Sequence, residues 1–262
     1  MLVICCGMAK SGSTLSFELV KGVLIGAGHS QKKVKSTGLK PRARGNHIAD
    51  LSRDAVLHMI EQIGPDRIVA AKTHMCFRDD MFSWMEELQA ERKIQIVVSY
   101  RDPRDVCLSL IDHGERARES GRRGFSKIHD LARAADVFER AIRKFRKWAS
   151  LKGSLRLYFE TLAFSPDDAI DAIEKTLGVS CDHEEAKRHA FEDAFTQRNK
   201  AQKNRFEDEL DEVQKKEMAE RFSEFIERVC RNNDEAWFNS YRERTLAGQR
   251  LADCENLVDP DT

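Results

Sequence analysis

Apolar and polar positions alternate between short unbroken apolar runs and longer stretches with a helical period. The runs are Leu2-Val-Ile-Cys-Cys6, Ile68-Val-Ala-Ala71, Ile94-Gln-Ile-Val-Val-Ser-Tyr100 and Ser154-Leu-Arg-Leu-Tyr-Phe-Glu160. Each is short and bounded by turn or polar residues, the pattern of strands buried on both faces. Between them, apolar residues recur three and four apart. Leu15, Phe17, Leu19, Val20 and Val23 form one stripe, and Leu51, Val56, Leu57, Met59, Ile60 and Ile63 another, ended by Gly64-Pro65. Met81, Phe82, Met85 and Leu88 predict a short helix over 79–90. Ile128, Leu131, Ala135, Phe138, Ile142, Phe145 and Trp148 predict one long amphipathic helix over 125–149, its stripe in the core. Past Cys181 the pattern is helical and charged, with single helices predicted over 184–194 and 210–230. Strands alternating with helices predict an α/β fold, a parallel sheet flanked by helices, with a helical C-terminal part from about residue 182. No repeat or linker divides the chain, so 1–262 reads as a single domain.

Composition narrows the partners. The 262 residues carry 44 Lys+Arg and 44 Asp+Glu, so no global field argues for nucleic acid or membrane. The seven cysteines lack metal-ligand spacing, and several lie in apolar runs, which favours buried free thiols over disulfides. No metal site is expected. The first apolar run is too short for a signal peptide and has no charged lead, and no segment has the length of a membrane span. A cytoplasmic protein is the expectation; the oligomeric state is open.

The candidate chemistry begins at the first strand. Gly7 and Gly12 bracket a tight loop, Ser13 and Thr14 follow, and a helix starts. Strand, glycine loop and helix place backbone N–H groups around an anion at a helix N-terminus. Lys10 adds a point charge; Ser11, Ser13 and Thr14 add hydroxyls. The bland alternative is a glycine-rich turn with no ligand. A Walker A loop would end in Gly-Lys-Ser/Thr, whereas here Gly12 precedes Ser13 and the lysine comes earlier. Lys72-Thr73-His74 closes the second strand, at the sheet edge where α/β proteins bind ligands, and a histidine there can act as a general base. At the end of the third strand, Arg101 begins Arg-Asp-Pro-Arg-Asp-Val-Cys-Leu-Ser109. Its planar fork and the serine suit a phosphate; a strand–turn–helix joint with an aspartate cap and a solvated Arg104 is the alternative.

Taken together, Lys10-Ser-Gly-Ser-Thr14, Lys72-Thr-His74 and Arg101…Ser109 resemble the sulfotransferases that use 3′-phosphoadenosine-5′-phosphosulfate (PAPS). The resemblance implies a P-loop nucleotide-kinase-like sheet and transfer of a sulfuryl group to an acceptor hydroxyl or amine, on a small molecule or carbohydrate. It assigns Lys10, Ser11, Gly12, Ser13 and Thr14 to the 5′-phosphosulfate, and Arg101 and Ser109 to the 3′-phosphate. His74 becomes the base, with Lys10 and Lys72 beside the transferred group. Ala9, Leu15 and Met75 depart from the usual proline, tryptophan and leucine. Phe159-Glu-Thr-Leu162 resembles the family's Tyr-Glu-Asp-Leu, so Phe159 lines the cofactor site and the tyrosine's hydroxyl contact is lost or moved to Tyr158. Arg198 and Lys200 hold the place of a basic loop that closes on the 3′-phosphate, but that loop's glycines and tryptophan are missing here.

A nucleoside-triphosphate-dependent kinase and a non-catalytic nucleotide-binding module are the alternatives. The basic segment 26–46 reads as a surface loop, solvated or contacting an anion. The segment 113–124 reads as a loop, either a mobile cover over the acceptor or disordered, and 255–262 as a frayed tail.

Overall fold

The computed structural model of the chain describes residues 1–34, 38–39, 45–194 and 202–249. Part of the basic segment 26–46, the residues Arg198 and Lys200, and the tail 255–262 lie outside them. Four strands form one parallel sheet in the order β2-β1-β3-β4. They are β1 Leu2–Gly7, β2 Val69–Thr73, β3 Ile94–Tyr100 and β4 Leu155–Tyr158. All four predicted runs are strands, and β3 has the predicted bounds. β4 stops sooner than its run, because Phe159 and Glu160 open helix α6, Phe159–Phe164.

The alternation of side chains along β1 sorts the core into two layers. Leu2, Ile4 and Cys6 pack with α2 (Arg53–Ile63), α3 (Phe82–Ala90), α4 (Pro103–Glu119) and α5 (Leu131–Ala149). Val3 and Cys5 pack on the other face under α1 (Ser13–Gly26), α7 (Pro166–Leu177) and α8 (His183–Arg188). The fold is thus the expected sheet flanked by helices. At the β2 edge, Lys72 N–H donates to the Asn46 carbonyl at 2.8 Å and Ile48 N–H to the Lys72 carbonyl at 2.8 Å, so residues 46–48 extend the sheet beside the end of β2.

Helix starts follow side-chain caps. Ser52 accepts from Ala55 N–H, Asp102 from Arg104 N–H with Pro103 at the first position, and Asp130 from Arg133 N–H. The Asp130 cap corrects the predicted start of the long helix from 125 to Leu131. A second correction concerns 113–124: α4 runs on to Glu119, so His113 lies on helix. The long C-terminal helices are also broken. The first continues from α8 into a π-helical turn, His189–Asp193. Ahead of the second lies a short helix, α9 Arg205–Glu209, and the second itself divides into α10 Glu212–Arg221, with a capping box at Asp211, and α11 Ser223–Phe225. A π-helical turn, Ile226–Arg231, and α12, Glu235–Leu246, follow.

Candidate active site

β1 has β2 on one side and β3 on the other, so the chain reverses its direction of winding at the β1/β3 junction. Ligands of open α/β sheets bind at that crevice, outside the carboxyl ends of the strands. The register places Gly7 opposite Ser99 there, and the three predicted motifs follow the ends of β1, β2 and β3.

The loop after β1 is shaped before any ligand arrives. Ser11 is fully buried, its hydroxyl donates to the Met8 carbonyl at 2.7 Å, and it lies 3.2 Å from the Ser99 carbonyl. Its N–H also donates to Met8 O, at 3.2 Å. The side chain of Ser11 therefore faces inward and ties the loop to β3 rather than presenting a hydroxyl to a ligand. Lys10 and Gly12 both take the left-handed region, at φ 65° and 82°. Gly12 ends the loop and α1 begins with no side-chain cap and no acidic residue in its first turn. The positive end of that helix dipole is left for an anion. Ser13 is the first helical residue, and Thr14 accepts a hydrogen bond from Lys72 Nζ at 2.7 Å.

Lys72 is 6% exposed. Burial lowers its pKa to about 8, and Lys10 adds to the lowering against Cys5 and Glu18. An anion bound beside it would raise that value again. Binding of a phosphate ligand at pH 8 is therefore expected to take up as much as about half a proton, since Lys72 is half-charged there. Calorimetry in buffers of different ionisation enthalpy measures this, and Lys72→Met should abolish it; equal heats for the unaltered protein would contradict it.

His74 is half-buried, and its Nδ1 lies 3.2 Å from the Gly7 carbonyl. A carbonyl only accepts, so this contact assigns the proton to Nδ1 and leaves the lone pair on Nε2. The helix that follows β3, α4, carries Ser109 (3% exposed) and, four residues on, His113. Burial lowers the pKa of His113 to about 4, and Lys10, Arg116 and Arg122 push it the same way.

Arg101 is buried, 5% exposed, with Nη2 2.7 Å from Asp105 Oδ2 and 3.1 Å from the Gln202 carbonyl. Its Nε has no hydrogen-bond partner among the described residues. Burial raises the pKa of Glu160 while Arg101 opposes the rise; burial also raises that of Asp105, again against Arg101. A buried guanidinium with an unpaired N–H fits an anion. Arg104 is not solvated: it forks onto Asp102 at 2.9 and 2.7 Å and covers the Phe206 ring.

Phe159 joins the two halves. Its ring lies 4.1 Å from the Arg101 guanidinium carbon. On the Gly12 side, a methyl group added at that glycine would meet Phe159 Cδ2 at 2.7 Å. The loop of Lys10 and the arm of Arg101 thus face one rim across one aromatic ring. The segment following residue 201 closes that rim: Gln202 meets Arg101, and Phe206 N–H donates to Asp105 at 3.1 Å. Arg205 in this segment is buried and paired with Asp112 and Glu209 at 2.9 and 2.8 Å.

Sequence reasoning overlooked Lys147, which is fully buried on α5 against the segment that follows His74. It also gave no hint of the convergence of Asp171, Glu174 and His183. Of these only Asp171 is exposed, and Lys187 lies 3.0 Å from the neighbouring Asp167.

A cationic crevice at the switch point of a parallel sheet, floored by a left-handed loop and an uncapped helix, defines an α/β phosphate-binding protein of the P-loop kind. The chain belongs more narrowly to the sulfotransferase domain family, whose model matches residues 2–242. Among solved structures, mouse sulfotransferase SULT7A1 complexed with PAP superposes with a TM-score of 0.56 at 13% identity, over 92% of this chain and 88% of that one. Retinol dehydratase, in complex with androsterone and the inactive cofactor PAP, superposes with 0.52 at 17% identity, over 86% and 80%. These likenesses are ones of fold. No curated protein matches the sequence significantly.

Proposed function

We propose that the protein transfers the sulfuryl group of PAPS to an acceptor hydroxyl or amine, working as a single domain. The observation that carries this reading is the shared rim: Gly12 of the Lys10 loop and Arg101, which follow the neighbouring strands β1 and β3, both lie against Phe159. A donor with anionic groups at both ends of an adenosine fits two such clusters.

The residues fit the donor as follows. The N–H groups at the start of α1, with Lys10, Ser13 and Thr14, hold the 5′-phosphosulfate and stabilise charge that builds on the bridging oxygen. Gly12 lets the loop approach closely, and Ser11 keeps its shape. Arg101 and Ser109 hold the 3′-phosphate; Arg198 and Lys200 are candidates to close over it. Phe159 offers a ring, and no hydroxyl, to the nucleotide. Bound PAPS supplies the sulfur electrophile: the acceptor atom bonds to sulfur as the bond to the 5′-phosphate breaks. His74 Nε2 takes the acceptor's proton. Lys72, held on Thr14, brings positive charge to the same end.

The kinase alternative needs a carboxylate free to bind a metal beside the loop. β3 instead ends in Tyr100-Arg101, and Asp102 and Asp105 are held by Arg104 and Arg101. Among the described residues no helix is long and apolar enough to cross a membrane. The free cysteines among them support a reducing compartment, the cytoplasm. The androsterone held by retinol dehydratase makes a small alcohol the first acceptor to try. Calorimetry tests the reading directly: 3′-phosphoadenosine-5′-phosphate (PAP) should bind at least about tenfold more tightly than ADP, and equal affinities would remove the donor assignment.

A further inference from the structure

Near the end of the α5 helix, three consecutive residues reach in different directions. Arg146 Nη2 donates to the Trp237 carbonyl at 2.9 Å and lies 3.1 Å from Ser240 Oγ, anchoring α12. Trp148 Nε1 donates to the Met75 carbonyl at 3.0 Å. Lys147, between them, has a side chain with no exposure at all. Its Nζ donates to the Phe77 carbonyl at 2.5 Å, pairs with the Asp79 carboxylate and lies 4.8 Å from the centre of the Phe77 ring. The Trp148 ring meets the same Phe77 ring edge-on, 4.6 Å between centres.

All these contacts fall on the segment that leaves His74. Residues 74–78 have no regular structure, so the sheet does not pair their carbonyls and something else must. Trp148 and Lys147 take two of them. Burying an ammonium is costly unless it is paired and hydrogen-bonded. A site that needed only volume would be filled by methionine or leucine. Lysine instead offers several donors on one atom, enough to hold a carbonyl and a carboxylate two residues apart.

We propose that Lys147, helped by Trp148, is a positioning residue: it fixes the course of residues 75–79 and so the placement of the His74 ring against the Gly7 carbonyl. The inference rests on the reading of His74 as the proton acceptor. A displacement of about 1 Å at a reacting group is enough to cost one to two powers of ten in rate. Asp79, whose side chain is 39% exposed, completes the ion pair from the solvent side.

Lys147→Met keeps the length and removes the donors; Trp148→Phe keeps a ring and removes one donor. Both are compared with the unaltered protein below their melting temperatures. Each should lower kcat at least tenfold per folded molecule and leave the affinity for PAP within about twofold. In protein labelled with 15N-histidine, the His74 Nδ1–H resonance should move or broaden. Unchanged kcat with an unmoved His74 resonance would overturn the proposal, as would a fall in PAP affinity equal to the fall in kcat, the mark of general loosening. If Lys147→Met does not fold, Trp148→Phe and Asp79→Asn carry the same test. A His74→Ala protein as active as its parent would remove the base assignment, while the resonance would still report whether Lys147 sets the ring's place.

Discussion

His74→Ala is expected to lower kcat by about 10²- to 10⁴-fold, the usual worth of a general base, and to leave PAP affinity almost unchanged. The separation follows from position. His74 leaves the end of β2 with Nδ1 3.2 Å from the Gly7 carbonyl, and its basic Nε2 is on the opposite side of the ring. The groups proposed to bind phosphate are instead the start of α1 and the β3 arm. Steady-state kinetics with an alcohol acceptor, paired with calorimetry on the same preparation, measures both quantities. A variant with parent-like kcat would take the proton-accepting role away from His74. A variant that lost PAP affinity to the same degree would move the residue to the donor side of the site.

Arg101→Ala should weaken PAP by about 100-fold and ADP hardly at all, so that the preference for the 3′-phosphate disappears. A hundredfold corresponds to about 2.7 kcal/mol, in the range of hydrogen bonds to a charged group. The substitution also strands Asp105, which loses the partner 2.7 Å away but keeps the Phe206 N–H. Loss of one member of a buried pair destabilises the fold, so melting curves must accompany the titrations. Ser109→Ala removes one donor without disturbing that pair and should cost about tenfold for PAP alone. Equal losses for PAP and ADP in both variants would show that the β3 arm does not read the 3′-phosphate.

Much of the scaffold was legible because its strands are buried on both faces and its motifs sit at their ends. Ile94–Tyr100 reads as a strand from any starting point, and Arg101 is fixed by it. Glycine misled where it packs rather than bends. Gly114 reads as a break, yet it sits inside α4 because a methyl group there would meet the Ile128 carbonyl at 2.4 Å and that of Phe125 at 2.9 Å. Periodicity misled at Lys147. It lies nine residues past Phe138, half a turn around the helix from that stripe, and so reads as solvent-facing. The residues after His74 and helix α12 cover that second face, and no local pattern announces them. The burial of Arg205 is hidden for a related reason: its partner Asp112 on α4 is remote in sequence. Ser11 belonged to the right loop, but only the packing against Ser99 shows which way its hydroxyl turns.

Residues 46–48 have an effect beyond the rim they help to build. By sitting on both backbone groups of Lys72, they occupy the border of the sheet that another molecule's strand could otherwise join. Anything that peels this short flap away would disturb the main chain beneath a lysine of the proposed site and uncover a template for self-association. Loss of turnover and the onset of aggregation are therefore expected to share one structural origin there.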